Sequence, residues 1–78
     1  AFLFEQEPGG GNYANPPAQY TEELIYVLSG QLEVELLQGT YELAAGDTIY
    51  FEGPSLRGLK AVGTETMRLL AVVTPPVL

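Results

Sequence analysis

Cysteine and histidine are both missing from this chain of 78 residues. Disulfide bonds and zinc sites of the Cys/His type are therefore excluded as sources of its stability. Nucleophilic catalysis by a Ser-His or Cys-His pair is excluded too, because each pair needs a residue that the chain lacks. A domain this short buries only about 60% of the surface of its unfolded chain, so it is marginally stable alone. We therefore expect a homodimer, since self-association is the remaining common route to stability.

Positive charge is scarce as well. The chain carries three Lys or Arg residues against ten Asp or Glu residues, which gives a net charge of −7. Such a surface repels the phosphates of nucleic acids and of anionic membranes, so we expect neither as a direct partner of this segment. No apolar run approaches the ~18 residues that span a bilayer. The lack of cysteine is typical of cytoplasmic proteins, and we expect that location.

Two stretches show regular alternation of apolar and polar residues, 21–36 (TEELIYVLSGQLEVEL) and 40–58 (TYELAAGDTIYFEGPSLRG). Alternation with a period of two, broken by glycine-centred turns, predicts short antiparallel strands. Within such a strand, Glu23, Ile25 and Val27 share one face. Turn signals recur about every 8–10 residues, which is typical of sandwiches and barrels. The sequence therefore predicts an all-β fold.

The expected organisation is a single barrel domain over residues 1–78. Residues 1–19 supply an N-terminal strand around Phe2 and Phe4, followed by a Gly/Pro loop from Glu7 to Pro17 in which we expect no regular element. Residues 20–73 form the barrel core, and residues 74–78 form a tail with two prolines. The strands predicted after the first long one cover residues 31–37, 40–43, 48–51, 56–62 and 66–73.

Two spacings in these stretches resemble the motifs of the cupin superfamily, a group of small double-sheet jelly-roll barrels. Glu23 and Gly30 match the last Glu and Gly of the first cupin motif. Gly46 matches the start of the second motif, and counting onward from it places Arg57 where cupins keep a His. One of two alignments of the paired His of the first motif places Gln19 at a His position. The resemblance implies an antiparallel cupin-type jelly-roll barrel.

The departures from the cupin pattern affect the metal site. Cupin enzymes hold Fe, Mn, Ni or Zn with three His and one Glu, and only Glu23 of that set is present here. Gln19 is a poor ligand for these metals, and Arg57 is a cation that would repel one. We therefore expect a barrel without a metal or other cofactor, and we assign no catalytic residue. Glu23 and Arg57 are expected to form an ion pair across the barrel mouth, because either charge is costly to bury alone.

A barrel interior with apolar walls and few polar groups is a small-molecule site by default. Ile25 and Val27 share the face of Glu23, and alternation places Leu59 on the face of Arg57. Tyr20, beside the Gly/Pro loop, is a candidate to cap the pocket. Whether Arg57 only balances Glu23 or binds a carboxylate or phosphate in bidentate fashion is left open. The predicted site for a small organic ligand, amphipathic or anionic, comprises Glu23, Arg57, Gln19, Ile25, Val27, Leu59 and Tyr20.

The closing segment RLLAVVTPPVL resembles the end of the C-terminal cupin domain of Xre-type helix-turn-helix regulators. That resemblance implies the ligand-sensing domain of a bacterial transcriptional regulator, with the DNA-binding helices upstream of this chain. Two other roles stay open: a stand-alone small cupin enzyme, an isomerase or dioxygenase-like protein with Glu23 as its acid/base group, and a purely structural dimerisation barrel. The cupin resemblance also implies dimer contacts through an outer apolar face and the N-terminal strand around Phe2 and Phe4.

Overall fold

The computed structural model describes residues 2–13 and 20–74, which form eight β-strands and one short 3-10 turn. The strands are β1 (Phe2–Gln6), β2 (Gly11–Tyr13), β3 (Glu22–Ser29), β4 (Gln31–Leu36), β5 (Gly39–Ala44), β6 (Thr48–Glu52), β7 (Leu56–Val62) and β8 (Met67–Thr74). The 3-10 turn (Gly53–Ser55) connects β6 to β7. Strands β3 to β8 lie close to the positions that the alternation predicts.

The strands form two four-stranded sheets in which every neighbouring pair is antiparallel. The first sheet has the order β1-β8-β3-β6, and the second has the order β2-β7-β4-β5. This is the all-β, antiparallel double-sheet architecture that the sequence predicts, so the predicted fold class is confirmed. Within residues 2–13 and 20–74, no helix has the length and apolarity needed to cross a membrane.

The core lies between the two sheets and consists of the side chains that alternation directs inward. Ile25 and Val27 of β3 are fully buried, and so are Leu32 and Val34 of β4. Neighbouring strands continue the same layer, since Leu32 lies opposite Leu43 on β5 and opposite Ala61 on β7. The remaining buried apolar residues are Leu36, Phe51, Leu56, Met67 and Leu69. Ile25 and Val27 therefore share the inner face of β3, as the alternation predicts.

One expectation was wrong: the Gly/Pro loop from Glu7 to Pro17 contains a strand. Strand β2 pairs with β7, with Gly11 opposite Lys60. Two backbone hydrogen bonds extend the pairing, from Gly9 N to Ala61 O (3.0 Å) and from Ala61 N to Gly10 O (2.9 Å). Backbone groups pair without any alternation of side chains, so the sequence carries no signal for this strand. The end of the predicted loop, residues 14–17, lies outside the described residues.

The 3-10 turn joins the two sheets at one end of the barrel. Gly53 N donates to Thr21 O (2.8 Å), just before β3 of the first sheet. Leu37 N donates to Ser55 O (2.9 Å), just after β4 of the second sheet. Both bonds join backbone atoms, so neither depends on a side-chain contact. The segment that follows the turn is thereby fixed relative to both inner faces.

A pair of glycine variants tests how closely the β3–β4 turn packs against β8. Gly30 and Gly46 both have positive φ, 73° and 94°, so alanine strains either backbone by about 1–2 kcal/mol. A Cβ at Gly30 would also lie 2.8 Å from the Met67 Cα, whereas nothing lies within 4 Å of a Cβ at Gly46. We expect Gly30→Ala to lower the free energy of unfolding in urea clearly more than Gly46→Ala does. Equal losses would show that the turn has room to move away from β8.

Candidate functional site

The polar residues closest to the barrel interior lie at the end of the barrel that the 3-10 turn closes. Glu23 is on the inner face of β3, between Phe51 of β6 and Val73 of β8. Thr21 precedes it by two residues and lies in the same row, with Ile25 next on the other side. Thr21 is 3% exposed, and Glu23 is half-buried. The inner row of β3 therefore changes from apolar to polar as it approaches this end.

The side-chain oxygens of Thr21 and Glu23 converge on Gly53. A Cβ at Gly53 would overlap Thr21 Oγ1 and would lie 3.1 Å from Glu23 Oε2. Only glycine leaves room for both oxygens here, since any larger residue would displace one of them. Among the described residues, Thr21 Oγ1 is buried and has no hydrogen-bond partner. A buried hydroxyl without a partner costs roughly 1–3 kcal/mol and marks a place where a ligand atom would be stabilised.

Burial raises the pKa of the Glu23 carboxyl above its usual range. The cause is desolvation, which disfavours the charged form. The carboxyl therefore holds its proton to a higher pH than a surface glutamate does. In the protonated form it can donate a hydrogen bond as well as accept one, so it can bind a hydroxyl group either as the donor or as the acceptor.

Arg57 lies at the same end of the barrel, but the predicted ion pair with Glu23 is not formed. Among the described residues, the salt bridge joins Arg68 Nε and Glu5 Oε2 at 2.7 Å on the surface. Arg57 Nη1 instead donates to the carbonyl oxygens of Pro54 (2.8 Å) and Leu56 (3.1 Å).

A β-bulge explains why the alternation misplaced the Arg57 side chain. The register between β4 and β7 shifts so that Glu35 is opposite Gly58 while Leu36 is opposite Leu56. Arg57 is the extra residue of this bulge and has no partner on β4. Its side chain turns back over the 3-10 turn, where it donates hydrogen bonds to backbone carbonyls instead of pairing with Glu23.

The other predicted site residues occupy different surroundings. Ile25 and Val27 are fully buried in the core, and Leu59 is partly buried against it, so these three form the packed wall beneath the site. Tyr20 is exposed at the outer rim of the same end. Gln19 lies outside the described residues. Glu23 and Arg57 thus remain at the barrel end, and Thr21 and Gly53 join them as residues that sequence reasoning missed.

An acidic and phenolic cluster lies on the outside of the first sheet at this end. Glu22 on β3 is directly opposite Glu52 on β6. Tyr50 donates a hydrogen bond to Glu22, and this bond, with partial desolvation and nearby negative charge, raises the pKa of Tyr50 to about 12. Partial desolvation and then the charges of Glu22 and Glu52 raise the pKa of Tyr20. None of these groups faces the inner row that holds Glu23, because neighbouring strand residues point to opposite faces.

Two surface clefts in the described part of the chain lie away from Thr21 and Glu23. One of about 360 Å³ is at the opposite end of the barrel, between the β3–β4, β5–β6 and β7–β8 connections. The other, of about 270 Å³, lies between β5 and β6. Neither contains a buried polar side chain without a partner among the described residues. Among the described residues, the buried polar atom without a partner is therefore Thr21 Oγ1, away from both clefts.

The donor set at this end does not fit a transition metal. The chain has no histidine or cysteine, and the described residues contain no group of three or more Asp, Glu, His or Cys side chains that could hold a metal ion. Glu23 supplies one carboxylate, and Arg57, at the other cupin-like position, supplies a cation. Borderline metals prefer imidazole and thiolate ligands, so these residues make a poor site for them.

Comparison with known proteins identifies a family and similar solved structures. The family model for the cupin domain matches residues 2–73. The solved structure of a "putative sugar phosphate isomerase" from Acidithiobacillus ferrooxidans ATCC 23270 has 28% sequence identity and a TM-score of 0.70. The match covers 91% of this chain but 46% of that chain, so the present chain spans about half the length of its neighbour. No curated protein matches.

The raised pKa of Glu23 predicts a pH dependence of stability. The folded state binds the Glu23 proton more tightly than the unfolded state, so this group lowers stability as pH rises through the window above its ordinary pKa of 4.5. We therefore expect Glu23→Gln to raise the melting temperature at pH 7 and to have little effect near pH 4. Glu35→Gln, which removes the same charge from the exposed outer face of β4, serves as the control. If both variants gave the same pH profile, general charge repulsion rather than burial would be the cause.

Because the Thr21 hydroxyl is buried without a partner among the described residues, we expect removal of this hydroxyl to stabilise the free protein. Thr21→Val keeps the shape of the side chain and removes the buried oxygen, so we expect the free energy of unfolding to rise by about 1 kcal/mol in urea titrations. Thr21→Ser keeps the hydroxyl and loses a buried methyl group, so it should be less stable than the parent. A loss of stability in Thr21→Val would instead mean that the hydroxyl has a partner in solution.

Proposed function

The chain belongs to the cupin family, and on that premise we propose that its barrel binds a small, hydroxylated organic anion at the end formed by Thr21, Glu23 and Gly53. The observation that supports this proposal most directly is the buried Thr21 hydroxyl without a partner among the described residues. A hydroxyl group of a ligand would complete its hydrogen bonding and recover the free energy lost by its burial.

The ligand class follows from the groups that converge on Gly53. Thr21 can donate and accept a hydrogen bond, and a protonated Glu23 carboxyl can do the same. Two such groups that converge on Gly53 are suited to adjacent hydroxyls, as in a sugar or polyol. Phe51 and Val73, the strand neighbours of Glu23, supply apolar surface for the carbon skeleton.

Arg57 supports an anionic group on the same ligand. Only Nη1 of its guanidinium makes hydrogen bonds to described residues, so Nε and Nη2 keep their donors for a carboxylate or phosphate. The two backbone carbonyls that hold Nη1 also fix the orientation of the planar group. A fixed guanidinium loses little side-chain entropy when it binds an anion.

A second candidate function is the isomerisation of a phosphorylated sugar. The support is the 28% identity with a protein whose name gives that activity. Glu23, with its raised pKa, would be the general base that removes a proton from the carbon beside a carbonyl, since a base works best when its pKa approaches the working pH. The neighbour is about twice as long as this chain, so residues that the present chain lacks would contribute to such an enzyme.

The finer proposal of a sensor domain in a transcriptional regulator rests on the resemblance of the closing segment alone. It predicts binding of the ligand without turnover, and a helix-turn-helix segment upstream in the natural gene product. The enzyme alternative predicts consumption of the ligand at substoichiometric protein. A turnover assay with the same compound therefore separates the two.

The test is calorimetric titration with ribose 5-phosphate, with ribose and inorganic phosphate as partial ligands. We expect the complete compound to bind more tightly than either part, because it engages the hydroxyl-binding pair and Arg57 together. Thr21→Val should weaken binding of ribose and ribose 5-phosphate by about tenfold, the loss of one buried hydrogen bond. Arg57→Lys keeps the charge but loses the planar fork, and it should weaken only the phosphorylated compounds.

The opposite results would be informative. If Thr21→Val bound ribose 5-phosphate as tightly as the parent, the barrel end would not be the binding site. If inorganic phosphate alone bound as tightly as the sugar phosphate, the site would recognise anions and not sugars.

A further inference from the structure

The cleft between β5 and β6 lies where the two sheets end side by side. β5 is the last strand of the second sheet, and β6 is the last strand of the first. Among the strands that the structure describes, no pairing joins β5 to β6, so the two sheets are not sealed to each other along this side. The space between them has a volume of about 270 Å³. Its lining residues are Tyr41, Glu42, Leu43, Asp47, Thr48 and Ile49.

The apolar part of this lining comes from the inner rows of both sheets. Tyr41 is opposite Val34 on the neighbouring strand, and Val34 is fully buried. Ile49 is opposite Ile25, which is fully buried too. Leu43 follows Tyr41 in the same row and is itself buried. Directly opposite residues point to the same face of a sheet, so the cleft is an opening into the side of the core.

Tyr41 brings an aromatic ring to the rim of this opening. Its side chain is 43% exposed, and its hydroxyl oxygen would lie 3.8 Å from a Cβ placed on Gly39. Gly39 is two residues earlier on the same strand, so the ring leans along β5 toward the β4–β5 connection. The face of an aromatic ring attracts cations, and more strongly where water is partly excluded.

The charged part of the lining is negative. Glu42 and Asp47 are the charged residues among the described residues that line the cleft. Asp47 Oδ2 accepts a hydrogen bond from Ala44 N (2.9 Å), which fixes this carboxylate beside the cleft. Glu42 lies directly opposite Glu33, and like charges in that position are destabilising. Lys60 is on the far side of Glu33, so a cation in the cleft would relieve a repulsion that Lys60 does not reach as directly.

The size and chemistry of the cleft select an organic cation. Its volume of about 270 Å³ is just below the ~300–1,000 Å³ of pockets for drug-sized ligands, so the ligand is small. The described residues contain no group of three or more side chains that could hold a metal ion. A nitrogen cation with alkyl substituents would instead place its carbon groups on the apolar walls and its charge near the ring and the carboxylates.

We propose that the cleft between β5 and β6 binds a small organic cation of the quaternary ammonium type. The Tyr41 ring lies against the alkyl groups of the cation, and Leu43 and Ile49 form the apolar floor. Glu42 and Asp47 supply the opposite charge. The net charge of −7 raises the local concentration of cations and thereby assists their encounter with this site.

This inference does not depend on the proposed binding site at the barrel end, because neither Thr21 nor Glu23 lines the cleft. The two proposals can therefore fail separately. Thr21→Val, which is expected to weaken binding of a sugar phosphate, should leave binding of the cation unchanged.

The test is a titration of the chain with choline, followed by the backbone amide signals in heteronuclear NMR spectra. Choline chloride replaces sodium chloride at constant total concentration, so the general screening of the acidic surface does not change. We expect saturable shifts with a millimolar dissociation constant, confined to residues 41–49. The neutral analogue of choline, with a tert-butyl group in place of the trimethylammonium group, should bind at least about fivefold more weakly.

Substitutions of tyrosine test the aromatic contact. Tyr41→Leu removes the ring and should weaken binding of choline by about fivefold, whereas Tyr41→Phe keeps the ring and should stay within about twofold of the parent. Tyr26→Leu is the matched control, since Tyr26 is 41% exposed on the outer face of β3 and does not line the cleft. It should leave the affinity unchanged.

Substitutions of glutamate test the charge contact. Glu42→Gln should weaken binding of choline by about threefold, the effect of one exposed ion pair. Glu35→Gln removes the same charge from the outer face of β4, outside the lining of the cleft, and should have no effect.

Four results would contradict the proposal. Identical spectra in choline chloride and sodium chloride would show that the cleft binds no such cation. Equal affinity for choline and for its neutral analogue would show an apolar pocket without selectivity for charge. Unchanged binding in Tyr41→Leu would exclude the ring from the site. Equal losses in Glu42→Gln and Glu35→Gln would mean that choline is attracted by the acidic surface as a whole.

Discussion

The structure depends on one constraint, the burial of two inner sheet faces against each other. Ile25 and Val27 are core residues of β3. Because side chains alternate along a strand, the residues two positions away from them must face the core as well. Thr21 and Glu23 belong to that same row and are carried inward with it. The polar site is thus a continuation of the core layer into its last two positions, and its geometry cannot change without a change of register.

The 3-10 turn gives this site its rigidity. It is bonded through the backbone to Thr21 on the side of the first sheet and to Leu37 on the side of the second. Gly53 leaves room for the two oxygens above it, and Arg57 lies against Pro54 immediately beyond. The groups that would meet a ligand are therefore positioned before it arrives, and preorganisation of this kind lowers the entropic cost of binding.

Alternation predicted the strands of the barrel core because each of those strands has one buried face. It failed at β2, where Gly11 and its neighbours pair through backbone atoms and carry no alternating pattern. It also failed at Arg57, because a bulge inserts one residue into the register and no local sequence signal marks it. Of the site, Glu23 followed from the family spacing. The inward orientation of Thr21 could also be predicted, because alternation places it on the same face as Glu23, two residues away. Its proximity to Gly53 could not, because that contact joins segments far apart in the sequence.

The position of β8 has a consequence for how the protein is made. This strand is the last of the eight described strands in chain order, yet it lies between β1 and β3 in the first sheet. Until residues 67–74 have left the ribosome, β1 has no partner in its sheet and β3 has only β6. The second sheet is complete earlier, since all four of its strands precede residue 63. In a ribosome-bound chain, the inner face of the second sheet would therefore be only partly covered until β8 is released, and the barrel would close only then.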